Sequence, residues 1–402
     1  MDLRKYNRTT LTNGIQIIHY YQSNGTIHVR FRFETGAANE NDSNRGVSHL
    51  IEHCMFTSTN KDFYKETSSC GAITNATTGL YFTEYRFSSI SKYFVPMLKL
   101  FVETLYNFKA SKEDMEREKE IIYNEIDTCH SNSWNNLYEL SSQHLFPNHY
   151  CSHMVGGEKE EVEKLTIDDM NDYYDNNYGT NNLKVIVVGD IDEGQVNSLL
   201  AILKSIEVKV VHNKLSFDTI EYDKKADIVF HTDDVKQIYM ESLLYLNDYS
   251  KNYGNISIAQ SILGRGFDSY LYSEIREKRG LGYDVGVIDF SIDPKNTFWK
   301  FYATTSKEEN VDTIKEIFES SIDYLQNVEK DEFERTKLFE VTQFLLGNQR
   351  NFDIAIYESS AIFFGKKDYM TMYMELANTE YDEFKKFVST LPHDFAHTMV
   401  CK

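Results

Sequence analysis

The chain has 402 residues, of which 41% are hydrophobic, 26% charged and 14% aromatic, with a formal net charge of -20. That length exceeds one ordinary core and predicts two domains of about 200 residues each, and the apolar content excludes a disordered chain. The acidic balance excludes a nucleic-acid binder, which needs a basic surface; it suits attraction for basic peptides and equally suits plain solubility.

At the amino terminus, Met1-Asp-Leu-Arg-Lys-Tyr-Asn-Arg8 lacks the apolar run of a signal peptide, and no later stretch reaches the roughly 18 to 20 apolar residues of a membrane span. The expectation is a cytoplasmic protein. Its cysteines, Cys54, Cys70, Cys129, Cys151 and Cys401, form no C-x-x-C pair and read as reduced thiols. Residues 29–33 and 80–87 alternate with period two, as half-covered strands do, whereas residues 94–106 and 311–325 carry helical spacing.

Between the first two strands lies His49-Leu-Ile-Glu-His53, predicted helical. At about 3.6 residues per turn, positions i and i+4 are about 40° apart, so His49 and His53 can share one metal ion with Glu52 beside them. Leu50, Ile51 and Cys54 point toward a core. Two neutral imidazoles, a third protein ligand and an open position for water make a catalytic zinc site. The metal lowers the water's pKa toward about 7, and an unligated carboxylate takes the proton. By themselves, five residues fit two histidines on a solvated helix face equally well. The third ligand decides, and residues 113–125 offer one. Glu118 and Glu125 lie seven apart, on one stripe with Ile121 and Ile122. A carboxylate on an apolar helix face costs several kcal/mol unless it is paired or ligates a metal. Glu113, Glu116 and Glu120 read as a solvated face; Glu125 is assigned to the metal.

Farther on, His144, His149 and His153 flank Pro147 without helical spacing and read as loop histidines, with an accessory metal site as the alternative. Residues 158–164 read as a solvated helix face. The strand-like pattern breaks between about Ile206 and Asp227, at Asn213-Lys-Leu-Ser-Phe-Asp218, which sets domains at residues 1–210 and 220–402. An internal repeat supports the division: Lys112-Glu-Asp-Met-Glu-Arg-Glu-Lys119 matches Lys330-Asp-Glu-Phe-Glu-Arg-Thr-Lys337 at a constant offset of 218. Carried onward, Glu118 falls on Thr336 and Glu125 on Gln343, so the second copy keeps the helix and loses both carboxylates. The strand from Gln237 and the helix through Ile256 to Leu263 stand in the place of the strand and helix leading through His49, without a histidine pair. Each half reads strand, helix, strands, two helices, then helix and strand. The predicted class is α+β, each domain a mostly antiparallel sheet with helices packed on one face. Alone, Arg276-Glu-Lys-Arg279 before Gly280 reads as a charged helix end and its cap.

Together, His49-Leu-Ile-Glu-His53 and the later Arg117-Glu118 and Glu125 resemble the inverted zinc-peptidase signature of the M16 family, which includes pitrilysin, insulin-degrading enzyme and mitochondrial processing peptidase. Residues 34–40 and 56–59 are similar to the segments that enter and leave the family's catalytic helix. Residues 71–78 are similar to its Asn-Ala strand, and residues 165–190 to the helix and strand that close its first domain. Residues 264–283 are similar to its Arg and Tyr motif. The resemblance implies that His49, His53 and Glu125 bind one Zn2+, that Glu52 is the general base and that Glu118 supports the site from behind. It implies further that Asn75 and Ala76 bind substrate backbone, and that Arg276 and Tyr283 hold the substrate from the second domain. The implied activity is zinc-dependent endopeptidase action on short or unfolded peptides. Two subunits would close a clam-like chamber, as a homodimer or as a heterodimer with an M16-like chain. The alternatives are a non-catalytic, partner-dependent structural subunit and a zinc-binding sensor. Loss of His49, Glu52, His53 or Glu125 would mark the first, and all four are present.

Overall fold

Alternating apolar and polar residues make the strands and helical apolar stripes make the layer above them, in the order expected for α+β domains. The computed structural model describes residues 6–60, 62–212, 215–233, 235–246, 252–363 and 367–402. Residues 1–5, and Asn213 and Lys214 at the predicted break, lie outside the described residues. Along the chain come β1 (Tyr6–Thr10), β2 (Gln16–Tyr21), β3 (Thr26–Phe33), α1 (Val47–Thr57), α2 (Phe63–Ser69), β4 (Ile73–Thr78), β5 (Thr83–Ile90), α3 (Phe94–Tyr106), α4 (Lys112–His130), α5 (Ser133–Leu145), α6 (Lys159–Lys164), α7 (Ile167–Asn177), β6 (Leu183–Gly189) and α8 (Glu193–Lys204). They are followed by β7 (Asp227–His231), β8 (Ile238–Leu246), α9 (Tyr253–Gly264), β9 (Val285–Ser291), β10 (Thr297–Thr305), α10 (Val311–Gln326), α11 (Lys330–Gly347), α12 (Asn351–Phe363), α13 (Tyr369–Asn378), α14 (Tyr381–Val388) and β11 (Ala396–Cys401).

The first sheet has the order β1-β2-β6-β3-β5-β4 and the second β7-β11-β8-β10-β9. Without β1, the two orders are the same: in each the last strand lies between the first two, and the third forms an edge. In each the last strand pairs parallel to the first, β6 to β2 and β11 to β7, and the remaining pairs are antiparallel. The helices repeat too. A helix begins the connection after the second strand of each set (α1, α9), and five helices follow the fourth (α3 to α7, α10 to α14), the second of each five, α4 and α11, starting at Lys112 and Lys330. The offset of 218 is therefore a repeat of whole topology.

Residues 80–82, predicted as strand, form instead the turn between β4 and β5, where Gly79 N–H donates to the Phe82 carbonyl at 2.8 Å and Ala38 N–H to that of Leu80 at 2.7 Å. On β3 the alternation is clean. Ile27, Val29, Phe31 and Phe33 enter the helix-covered core with Phe87 and Phe101, the Phe31 and Phe101 rings stacked at 5.5 Å. Each such side chain contributes about 1.5–3 kcal/mol by leaving water. The other face of β3 carries His28, Arg30 and Arg32, also buried. Arg30 forms an ion pair with Glu84, and Arg32 donates to Ser359 Oγ at 3.0 Å.

The chain forms two compact units. One comprises Met1–Thr128, His153–Ser216 and Asn348–Ser359; the other comprises Cys129–Ser152, Phe217–Gly347 and Ser360–Lys402. Each thus takes a short segment from the other half of the sequence. In the first unit, Asn348–Ser359 brings Phe352 edge-on to His28 at 5.1 Å and Glu358 to accept from the Tyr20 hydroxyl at 2.9 Å. In the second, the Ser141 hydroxyl of α5 donates to Thr398 Oγ1 of β11 at 2.8 Å.

Candidate metal centre

The site is built on α1. Gly46, its N-cap, has φ 85°, a left-handed conformation that favours glycine. The Glu40 carboxylate accepts from the backbone N–H groups of Gly46 and Ser48, each at 2.8 Å, and from the Ser48 hydroxyl at 2.6 Å. Those are donors that a helix start leaves unsatisfied. Burial nonetheless pushes the Glu40 carboxyl up to about 7. Val47, Leu50, Ile51, Cys54 and Met55 are sealed in the core, which turns His49 and His53 to the opposite side. Their rings meet edge to face with centroids 4.7 Å apart.

Glu125 of α4 completes a triangle. His49 Nε2 lies 3.3 Å from His53 Nε2 and 3.6 Å from Glu125 Oε2, and His53 Nε2 lies 3.4 Å from the same oxygen. Ligands at about 2.0–2.1 Å from a tetrahedral zinc are about 3.3–3.4 Å from one another, so the donor set fits such an ion. The set is chemically apt as well: burial, then neighbouring His53, lowers the His49 pKa to about 4, which keeps that imidazole neutral. His49, His53 and Glu125 thus form a group able to hold a metal ion.

Glu52 and Glu118 flank it. Glu52 Oε2 stands 4.0 Å from His49 Nε2 and accepts from the Thr78 hydroxyl at 3.0 Å; burial raises its pKa. Glu118 places Oε2 3.4 Å from His53 Nδ1, while its Oε1 accepts from Arg117 at 3.2 Å. One premise of the sequence reading changes here. The Glu118 side chain is 4% exposed and that of Glu125 51%, and Ile121 is on the surface while Ile122 is buried. Seven residues advance an α-helix by slightly less than two turns, enough to carry Glu125 to the rim. The burial argument thus describes Glu118, and convergence on the imidazoles singles out Glu125.

Asn75 and Ala76 lie on β4, the free edge of the first sheet, where Ile73 is 76% exposed. Thr78 at the end of that strand ties it to Glu52. The roles of Thr78 and Glu40 were not read from sequence; both sit inside segments that carry the family resemblance, but a hydroxyl at a strand end or a carboxylate in a loop has no periodic signal. In the second unit, residues Tyr272–Glu277 form a π-helical turn, a rare geometry that frequently marks functional positions. The Arg276 guanidinium lies over the Tyr283 ring at 4.0 Å and over that of Tyr272 at 5.0 Å, and Tyr283 is 73% exposed. Glu274 takes Lys278 and Arg279 instead. The predicted histidine cluster has separate partners: His149 Nε2 meets Asp293 Oδ2 at 3.0 Å, and the His144 ring meets Phe230 at 6.2 Å.

The family model described as Insulinase (Peptidase family M16) matches residues 17–156, and that described as Peptidase M16 inactive domain matches residues 164–338. The chain belongs to the M16 family. It is 24% identical over 300 residues to the zinc protease PqqE of Helicobacter pylori, covering 69% of this chain and 65% of that protein, so it spans just under two thirds of that relative's length. It is 23% identical over 193 residues to cytochrome b-c1 complex subunit 1, mitochondrial, of Mus musculus, covering 47% of this chain and 40% of that one. Among solved structures, a protease from Helicobacter pylori superposes with a TM-score of 0.87 at 19% identity over 100% of both chains. That likeness establishes an M16 fold of two α+β halves. Relatives of this M16 chain are thus named both as a zinc protease and as a cytochrome b-c1 complex subunit.

Proposed function

We propose that the chain is a zinc-dependent endopeptidase of short or unfolded peptides, with His49, His53 and Glu125 holding one zinc ion. The observation that carries this reading is the mutual 3.3–3.6 Å spacing of their three ligand atoms. When bound, zinc supplies Lewis-acid polarisation of a scissile carbonyl and lowers the pKa of water. Glu52, held by Thr78, accepts the proton of the attacking water and passes it to the departing amine. Glu118 orients His53 from behind. An extended peptide adds to the free edge of β4 at Asn75 and Ala76, where backbone pairing supplies affinity with little side-chain selection. Arg276 and Tyr283 hold the substrate carbonyl and the negative charge that develops on it. The catalytic half comprises residues 1–210 and the supporting half residues 220–402; two chains, identical or M16-like, close a chamber in the cytoplasm. Among the described residues no helix is long and apolar enough to cross a membrane.

The second reading, a partner-dependent structural subunit, is favoured by the likeness to a cytochrome b-c1 subunit. Digestion of a mixed peptide library by the purified chain, with and without chelator, separates the two. Chelator-sensitive cleavage with one zinc per chain supports the peptidase; one zinc without cleavage supports the subunit or sensor; absence of both removes the metal centre.

A further inference from the structure

Behind His49 the chain crosses itself backbone to backbone. Residues 154–157 make a tight turn in which Gly157 N–H donates to the Met154 carbonyl at 3.1 Å. A Cβ on Gly46 would come 2.6 Å from the Gly156 carbonyl oxygen, and one on Gly157, whose φ is +70°, 3.1 Å from the Arg45 carbonyl oxygen. Backbone geometry and close approach explain those two glycines. Gly156 is different, since it is absent from the positive-φ glycines and its backbone would accept other residues. What stands in the way of a side chain is His49: a Cβ on Gly156 would lie 3.2 Å from His49 Nδ1 and 3.8 Å from Cε1. That same Nδ1 is buried and, among the described residues, has no hydrogen-bond partner. The two imidazoles are therefore backed by different means, His53 by the Glu118 carboxylate at 3.4 Å and His49 by bare backbone.

We infer that Gly156 is a positioning residue for His49: its missing side chain lets the 154–157 turn close on the back of the imidazole and hold Nε2 toward His53 and Glu125. This rests on the reading that those three residues bind zinc. The torsion that turns a histidine ring is broad, so without hydrogen bonds at Nδ1 the ring's direction is set by what packs against it. A methyl group at 156 asks the ring to give by a few tenths of an ångström, and a branched side chain by more.

Zinc affinity by chelator competition, the visible spectrum of the Co2+-substituted protein and the melting temperature of the metal-free protein test the assignment in Gly156→Ala and Gly156→Val. Gly156→Val is expected to weaken zinc by about 10–100-fold, the range for lost support behind a ligand, and Gly156→Ala less, each with an altered cobalt spectrum. Without metal, Gly156→Val lowers the melting temperature when His49 is present and does so far less in a His49→Ala background, where the space is empty. Native zinc affinity with a native cobalt spectrum in Gly156→Val, or equal loss of melting temperature in both backgrounds, overturns the assignment. If the valine variant does not fold, the alanine variant carries the same comparisons. A native chain that takes up neither zinc nor cobalt overturns the metal-centre reading itself, an outcome distinct from both.

Discussion

Glu118 is buried and Glu52 half-buried beside the imidazoles, and their neighbours separate their roles. Glu52 stands 4.0 Å from His49 Nε2 and accepts from the Thr78 hydroxyl. Glu118 backs His53 and is gripped by Arg117. Glu52→Gln is expected to keep one zinc per chain and to lower peptide hydrolysis by about 10²–10⁴-fold, the usual cost of losing a general base; turnover near the native rate would remove Glu52 from that role. Glu125→Ala should empty the site, whereas Glu118→Ala should weaken zinc by only about 10–100-fold. Metal analysis with chelator titration distinguishes them, and full zinc occupancy in Glu125→Ala would move the third ligand elsewhere.

At the level of the strand, β3 shows how a buried polar face makes stability depend on pH. His28 is squeezed between Ser88, 2.7 Å from its Nδ1, and Arg30, whose Nε donates to its Nε2 at 3.0 Å. Burial, then the charges of Arg30 and Arg86, lowers its pKa to about 3. The folded-state value lies below the unfolded value of 6.5, so between them the unfolded chain binds the extra proton. The contribution of His28 is full above about pH 6.5 and is lost as pH falls toward 3, by about 1.4 kcal/mol per pH unit. His19, lowered by burial in the same direction, adds to it. Urea midpoints at pH 7.5 and 5.5 should therefore differ more in the native chain than in His28→Asn; an identical pH response in the variant would show that His28 is not the titrating group.

For the whole molecule, the interleaving of the two units matters most. A cut between residues 210 and 220 takes Asn348–Ser359 away from β3 and β5, leaving Glu84 and Arg32 without the Ser359 hydroxyl they share. Glu84 keeps its pairing with Arg30, but buried polar groups that lose a hydrogen-bond partner cost stability, so residues 1–210 alone are expected to melt at lower temperature than the full chain, and residues 220–402 added in trans should raise that melting point. An unchanged midpoint without the second fragment would show that Asn348–Ser359 is dispensable. Tyr283→Phe asks whether the second half serves the reaction: with zinc content intact, kcat/KM should fall by roughly 2–4 kcal/mol if the phenol donates to developing negative charge. Native kcat/KM would confine Tyr283 to the surface of its own unit.

Local repetition made much of this legible in the sequence. The i, i+4 histidines, the period-two strands and the Lys112 and Lys330 repeat are each carried by local pattern, so spacing pointed to most of the elements, the α+β class and the histidine pair. Long-range placement escaped it. Nothing in residues 348–359 says that they cover β3, more than 300 positions earlier, and nothing in the 113–125 pattern says that Glu118 is buried while Glu125 reaches the rim. Gly156 carries no sequence signal, since what it does depends on an imidazole 107 residues away in the chain and 3.2 Å from where its side chain would be. Periodicity records which face of an element turns inward, whereas only the folded chain decides what that face meets.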